Sequence, residues 1–558
     1  MKISSSKIII ESLLLENVEF IFGYPGGAVL HIYDAIFKTK IKHILVRHEQ
    51  AAVHMADGYS RSSNLVGVVL VTSGPGYTNC ITGLATSNFD GSSIILLSGQ
   101  VIKKLIAQNS FQELDNLNIS NPIIKNFYSL NCYYNIQYII SQSFKKTFFL
   151  KKGPVVIDFP KDLTSSINIL RNKYPFIKKK KLIINNNIKL KLNYKRPIIL
   201  IGGGLKDKKI FNLFNNFIKN IKIPFISTFM GLGGFNYRNP YYLGWLGMHG
   251  DACVNTIIHF SDIIICLGTR LDDRITNNND KFCPYSNIIH IDIDLNSISK
   301  NIYCKNFFLC EIDFFLKKKF FYKNIKNWWK FIIFFKNFFY KKYKNDFLFC
   351  KPQNIIEFVF YISRGKFFIS TDVGQHQMFA AKYFNFNFKC FITSGGLGTM
   401  GFGFPSAIGI KFANKNKKIL LITGEGSFQM MMQELSTCKQ YKINIFIINL
   451  NNQSLGMVKQ WQELNYNNRY SQSYIYSIPN FKKLINSYNF YSFNFYNIKK
   501  FYTFFQNIFF LDIFCFINVY INQKENVFPI QIYNKSMCEF IAFFSIKKYE
   551  KKFYFFNF

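Results

Sequence analysis

Short runs of consecutive apolar, β-branched residues recur along most of the chain, each closed by a Gly-rich turn and followed by a helix-like stretch. In residues 1–165 they are Ile44-Leu45-Val46, Val66 to Thr72 and Ile94 to Ser98. Runs without polar alternation predict strands buried on both faces, and their alternation with helical patterns predicts βαβ units and a parallel sheet. A second block, 196–315, repeats the pattern at Ile198 to Ile201, Ile263 to Leu267 and Ile288 to Ile293. A third, 351–540, does so at Phe367 to Thr371, Ile419 to Thr423 and Ile445 to Leu450. Between them lie a Lys/Asn-rich linker, 166–195, and a Lys/Phe/Asn-rich connector, 316–350; the Phe-rich tail, 541–558, carries no pattern. The expected fold class is α/β, with three doubly wound parallel-sheet domains, the first and third similarly built.

Composition agrees with several packed domains: 558 residues at ~150 per domain give three or four, and 49% hydrophobic with 18% charged residues suits a folded chain. The greasiest stretch, Phe501 to Ile521, is broken by Gln506, Asn507, Asp512 and Asn518. It falls short of the ~20 apolar residues of a membrane helix. The start, Met1-Lys2-Ile3-Ser4-Ser5-Ser6, lacks the features of a signal peptide, so a soluble, cytoplasmic protein is expected. The net charge of +38 points toward nucleic acid, but only nine of the 69 basic residues are Arg, the side chain best suited to forked phosphate recognition. The Lys excess also travels with Asn, Ile, Tyr and Phe, as a base-composition bias would produce. No nucleic-acid partner is expected. The twelve cysteines contain no C-x-x-C pair and read as reduced, buried thiols.

The sharpest chemical signal lies in the third block. The run Ile419 to Thr423 leads directly into Gly424-Glu425-Gly426-Ser427, and the next run ends at Asn451-Asn452, 27 residues after Glu425. A carboxylate and an amide oxygen at neighbouring strand ends are hard ligands suited to Mg²⁺ shared with a phosphate. The glycines let backbone N–H groups approach a diphosphate. Together with Thr371-Asp372-Val373-Gly374-Gln375-His376-Gln377-Met378, Ser394-Gly395-Gly396-Leu397-Gly398-Thr399-Met400-Gly401 and Leu455-Gly456-Met457-Val458-Lys459-Gln460-Trp461-Gln462, this motif resembles the catalytic large subunit of the acetolactate (acetohydroxyacid) synthase family. These are thiamin diphosphate (ThDP) enzymes of pyruvate oxidase-like fold, and the resemblance runs from about residue 7 to 540.

The resemblance implies a first domain that binds the ThDP aminopyrimidine, a central FAD domain and a third domain that binds diphosphate and Mg²⁺. Glu49, in Arg47-His48-Glu49-Gln50, would hydrogen-bond N1′ and favour the imino tautomer whose 4′ nitrogen deprotonates thiazolium C2; by itself such a carboxylate would be read as a surface ion pair with Arg47. Met400 would hold the cofactor rings in their bent conformation. The other implied ThDP contacts are Gly374, Gln375, His376, Gly398, Gly424, Gly426, Ser427 and Met457. Glu425, Asn452 and the Ser454 carbonyl would hold the metal. Gly27, Gln112 and Lys125 would serve the reacting acids, and Phe111, Val458 and Trp461 acceptor choice. FAD would meet Lys151, Gly202, Gly203, Gly204, Thr228, Met230, Leu246, Gly247, Met248, His249, Gly268, Arg270, Asp272, Arg274, Asp292, Ile293 and Asp313, although no G-x-G-x-x-G is present.

The activity implied is decarboxylation of pyruvate and ligation of the two-carbon unit to pyruvate or 2-oxobutanoate, toward valine, leucine and isoleucine. A homodimer or dimer of dimers and a small regulatory subunit are implied as well. Three positions depart from the family pattern: Glu425 replaces Asp, Lys151 replaces Arg and Phe379 replaces Trp. The rivals on the same fold are glyoxylate carboligase, disfavoured by Glu49, and pyruvate oxidase, disfavoured by the Gln460-Trp461-Gln462 stretch. A basic scaffold without catalysis would have lost these motifs.

Overall fold

A computed structural model describes residues 2–37, 39–130, 132–169, 191–192, 194–318, 321–322, 324–340, 350–546 and 550–555. Most of the basic linker expected at 166–195, and residues 341–349 of the connector, lie outside them.

Three six-stranded, all-parallel sheets form the frame. The first contains β1 (Phe20–Gly23), β2 (Lys42–Leu45), β3 (Gly67–Val71), β4 (Ile94–Gln100), β5 (Asn126–Ser129) and β6 (Val155–Pro160), in the order β2-β1-β3-β4-β6-β5. The second contains β7 (Pro197–Ile201), β8 (Phe225–Ser227), β9 (Tyr242–Trp245), β10 (Ile263–Leu267), β11 (Asn287–Asp292) and β12 (Asn306–Leu309), in the order β9-β8-β7-β10-β11-β12. The third contains β13 (Phe368–Thr371), β14 (Phe391–Thr393), β15 (Ile419–Thr423), β16 (Phe446–Asn451), β17 (Tyr491–Phe495) and β18 (Cys515–Tyr520), ordered β14-β13-β15-β16-β18-β17. Central strands such as β3, β10 and β15 are buried throughout, which is why they read as unbroken apolar runs.

The first and third sheets share one strand order. The second has the order of dinucleotide-binding sheets, and its winding reverses between β7 and β10. These two strands pair in register from Pro197↔Ile263 to Ile201↔Leu267. The segments Gly202–Gly204 and Gly268–Arg270 therefore leave the sheet side by side.

The first and third domains join through two helices, Glu49–Ser63 and Gly403–Ala413. Small residues let their backbones touch: a Cβ on Gly58 would stand 2.2 Å from the Ser406 carbonyl oxygen, and one on Gly409 1.9 Å from that of Met55. One apolar core accordingly runs from Val69 and Leu96 under the first sheet to Leu421 and Ile447 under the third. After the third sheet, Ile530–Gln531, Phe540–Ile546 and Glu550–Phe555 form a small antiparallel sheet. All twelve cysteines are free thiols, nine of them buried.

Candidate active site

In the third domain, β15 ends at Thr423 and the chain turns through Gly424 into a short helix, Glu425–Gln429. Glu425 is 1% exposed. The Ser454 N–H, beyond the end of β16, donates to Glu425 Oε1 at 2.8 Å and lies 3.1 Å from Asn452 Oδ1. The Glu425–Asn452–Ser454 set expected from the motif is thus one cluster. Burial lifts the Glu425 carboxyl to about 7, against the pull of backbone N–H groups of 425, 454, 452 and 453. Asn452 Nδ2 donates to Gln375 Oε1 at 3.2 Å, and Gln375 Nε2 to Gln460 Oε1 at 2.9 Å.

The floor beside this cluster is built on glycine. A Cβ on Gly374 or Gly424 would fall 2.8 or 2.9 Å from the His376 ring. Burial pushes His376 down to about 3, so it is neutral, and its Nε2 is buried without a partner among the described residues, as is Ser454 Oγ. A carboxylate and carbonyl set beside unpaired buried polar atoms and a floor that excludes side chains fits a diphosphate with its cation. Met400 comes to the turn just after Gly424: its Cε is 3.7 Å from where a Gly426 Cβ would sit. The loop carrying it passes through positive φ at Gly398 (+72°) and Gly401 (+85°). Ser427 Oγ donates to the Val373 carbonyl, and Met457 packs on the third domain's core.

One residue of this cluster went unassigned in the sequence. Asp372, at the end of β13, accepts from Gly401 N (2.8 Å), Gly403 N (3.1 Å) and Thr423 Oγ1 (3.0 Å), tying the Met400 loop to the strand that presents Glu425. Burial raises its carboxyl to about 6. An acid directly after an apolar strand was its only local signal.

Glu49 opens the helix Glu49–Ser63 behind an N-cap at His48, whose side chain accepts from Gln50 N. Asn79 Nδ2 donates to Glu49 Oε2 at 2.9 Å. A Cβ on Gly76 would come 2.9 Å from Thr72 Cγ2 and 3.7 Å from Glu49 Oε1, so glycine keeps that side open. Arg47 is engaged elsewhere, with Ser436, Gln440 and the Leu45 carbonyl, and makes no ion pair with Glu49 among the described residues. The hydrogen-bond partner of the Glu49 carboxylate belongs to the first domain, and no hydrogen bond or ion pair among the described residues joins it to the Glu425 cluster.

Nor do the substrate candidates of the first domain make a hydrogen bond or ion pair to that cluster among the described residues. Gly27 has open space around its Cβ position. Gln112 takes a positive φ (+61°) against Gly74, and Phe111 is 89% exposed. Lys125 Nζ donates to the carbonyls of Phe149 and Lys151. In the third domain, Val458 is exposed, whereas Trp461 is half-buried with the Arg274 guanidinium 6.0 Å from its ring centre.

The middle-domain candidates collect at the carboxyl ends of its strands. Gly202–Gly204 follow β7, and Gly268 (φ +58°) with Arg270 and Asp272 follow β10; a Cβ on Gly202 would collide with the Gly268 carbonyl at 2.0 Å. Thr228 and Met230 follow β8, and Thr228 Oγ1 accepts from Gly231 N. Leu246 to His249 follow β9, with Met248 Sδ 3.3 Å from Arg274. Asp292 closes β11 ahead of Ile293, its carboxyl raised to about 6 by burial while the Lys151 charge opposes the shift. Asp313, past β12, pairs with Lys209 and Lys317. Sites at strand ends beside a winding reversal are where such sheets bind dinucleotides.

The described thiamine pyrophosphate enzyme domains match the chain in order: the N-terminal TPP binding domain over residues 3–119, the central domain over 185–318 and the C-terminal TPP binding domain over 372–519. The acetolactate synthase large subunit of Haemophilus influenzae is 41% identical over 97% of this chain and 98% of its own length. The chain belongs to the acetolactate synthase large-subunit family. The Buchnera aphidicola (Schizaphis graminum) large subunit is 44% identical, and the Escherichia coli isozyme 3 large subunit 40%, each over 87% of this chain and 88% of the relative. As a member of the acetolactate synthase family the chain is a ThDP-dependent enzyme, and its three α/β domains are those of that enzyme class.

Proposed function

We propose that the chain forms 2-acetolactate from two molecules of pyruvate, and 2-aceto-2-hydroxybutanoate from pyruvate and 2-oxobutanoate, using ThDP, Mg²⁺ and FAD. The observation that carries this reading is the Glu425–Asn452–Ser454 cluster beside the Gly374–Gly424 floor. ThDP supplies an acidic C2 carbon and a sink for the electrons released as pyruvate loses CO₂. The Glu425 carboxylate, Asn452 Oδ1 and the Ser454 carbonyl would hold Mg²⁺ against the diphosphate, while the glycines keep the floor bare for it. Met400 would press the rings together. Glu49, steadied by Asn79, would hold the proton at N1′ and take it back. Trp461 and Val458 would border the acceptor. Gln112, Lys125, Gly27 and Phe111 would border it from a second copy of the chain.

The separation of Glu49 from the Glu425 cluster supports a homodimer, or a dimer of dimers, in which each site draws Glu49 from one copy and the metal ligands from the other. FAD would lie at the β7–β10 reversal, with Lys151 near Asp292 as a point charge in place of a guanidinium fork. The main reaction needs no net redox change, so its role would be structural. The relatives' designation as large subunits supports a small regulatory partner. No helix among the described residues is long and apolar enough to cross a membrane, which is compatible with a cytoplasmic enzyme. The test is acetolactate formation by the purified protein from pyruvate, with each cofactor omitted in turn. Product in the complete mixture alone is expected, and its absence there would refute the proposal.

A further inference from the structure

The helix Ile81–Asp90 of the first domain ends on a carboxylate, at the pole where the helix dipole disfavours negative charge. The Asp90 side chain is also fully buried, so something must repay that placement. Its oxygens reach into the third domain: Gly396 N donates to Oδ1 at 2.7 Å and Gly395 N to Oδ2 at 3.2 Å. Arg61 donates to Asp90 Oδ2 at 3.4 Å and to the Thr393 carbonyl at 2.9 Å. One turn earlier on the same helix face, Thr86 Oγ1 pairs with Thr399 Oγ1 at 2.7 Å. A single helix face thus grips both ends of the segment 395–399, and the next residue is Met400.

The packing at the grip favours glycine, at Gly396 against the fixed Cβ of Phe89 and at Gly395 against the movable side chain of Met230. A Cβ on Gly396 would lie 2.7 Å from the Phe89 Cβ and 3.0 Å from Asp90 Oδ1, and one on Gly395 2.2 Å from Met230 Sδ. The middle domain closes on the same point, Arg270 donating to the Phe89 carbonyl at 2.8 Å. All three domains therefore meet at Phe89–Asp90.

We infer that Asp90 is a positioning residue for the reaction: through the Gly395 and Gly396 amides, with Thr86 holding Thr399, it fixes where Met400 stands beside the diphosphate floor. The inference rests on the proposed ThDP site. It is tested on the full chain with FAD and Mg²⁺ by titrating ThDP calorimetrically and by following C2–H/D exchange of the bound cofactor. The variants are Asp90→Asn and Thr86→Val, the second removing only the hydroxyl pair should the first fail to fold. Asp90→Asn is expected to weaken ThDP binding or slow exchange by about 10–100-fold, the span for losing a hydrogen bond to a charged group, and Thr86→Val to do so more mildly. Adhesion between domains alone would lower the melting temperature and leave both readouts at the unsubstituted level, and that result in both variants would overturn the inference. Absence of ThDP binding by the unsubstituted protein would overturn the functional reading along with it.

Discussion

Glu425→Asp separates what the longer side chain gives the metal-free protein from what it costs the loaded one. In the structure the Glu425 carboxylate spans from the start of its helix to the Ser454 N–H, 2.8 Å away. Aspartate is shorter by one C–C bond, about 1.5 Å, which leaves roughly 4 Å to that N–H and no hydrogen bond. Without metal, and above about pH 8 where a carboxyl raised to about 7 is charged, the variant should be less stable by about 1.5–3 kcal/mol, the worth of a hydrogen bond to a charged group. With metal the order reverses. Mg²⁺ accepts little departure from about 2.0–2.1 Å, and a carboxylate already spent on Ser454 must be turned away before it can coordinate. The Asp variant should therefore half-saturate with Mg²⁺ at roughly tenfold lower concentration, a gain of about 1.4 kcal/mol. Denaturant unfolding in chelator and activity against Mg²⁺ at saturating ThDP measure the two arms. An Asp variant that is inactive, or that needs more metal, would show a pocket rebuilt around glutamate and refute the geometric argument.

Glu49→Gln should still bind ThDP but slow its C2–H/D exchange by about 10²–10⁴-fold, the usual weight of a general acid–base group; unchanged exchange would remove Glu49 from the chemistry. Trp461→Leu should lower the preference for 2-oxobutanoate over pyruvate by ~10–200-fold at most, the value of a methylene in an apolar pocket, and an unchanged product ratio would make Trp461 a packing residue beside Arg274. Burial raises Asp158 to about 7 despite hydrogen bonds from Asn116, Gln100 and Ser98. A carboxyl raised in the fold leaves the protein most stable where it is protonated, so stability should fall as pH climbs from about 4 through 7 and then level off. Asp158→Asn should flatten that decline by about 2–3 kcal/mol between pH 5 and pH 8, some two pK units of the shift, read by urea unfolding at those two values; parallel pH profiles would count against it.

Most strands legible in the sequence are long apolar runs buried on both faces; the shorter or interrupted buried strands Phe20–Gly23, Phe225–Ser227 and Val155–Pro160, the last with Asp158 in its middle, escaped. Ile263–Leu267 and Ile419–Thr423 match the structure to the residue because five and four consecutive apolar positions, the latter closed by Thr423, stand between polar or glycine neighbours. Most sheet edges escaped too: Asn126–Ser129, Tyr242–Trp245, Asn306–Leu309 and Tyr491–Phe495 are short, half-solvated and rich in the same Phe, Tyr and Asn as the helices around them, and Phe391–Thr393, though buried, is only three residues long. Cys515–Tyr520, though central, lay in the one greasy stretch it shares with the helix Ile498–Ile508, where composition cannot separate the two. The site divides the same way. Glu425 and Asn452 announce themselves by local spacing, and Ser454 only through the family resemblance, whereas the glycine amides held by Asp90 lie 305 and 306 positions away. Asn79 and Asp372, too, acquire a task only when the fold brings Glu49 and Gly401 to them.

The crossing of Glu49–Ser63 with Gly403–Ala413 has a mechanical meaning. Where Gly58 rides on the Ser406 carbonyl and Gly409 on that of Met55, there is no side-chain layer to act as a lubricant. The two helices can only move as one girder. One end of the girder is Glu49 itself; the other begins three residues after Met400. In the proposed dimer these two groups of a single chain attend different cofactors, so a displacement imposed by chemistry at one centre cannot be absorbed between the helices and is delivered to the other.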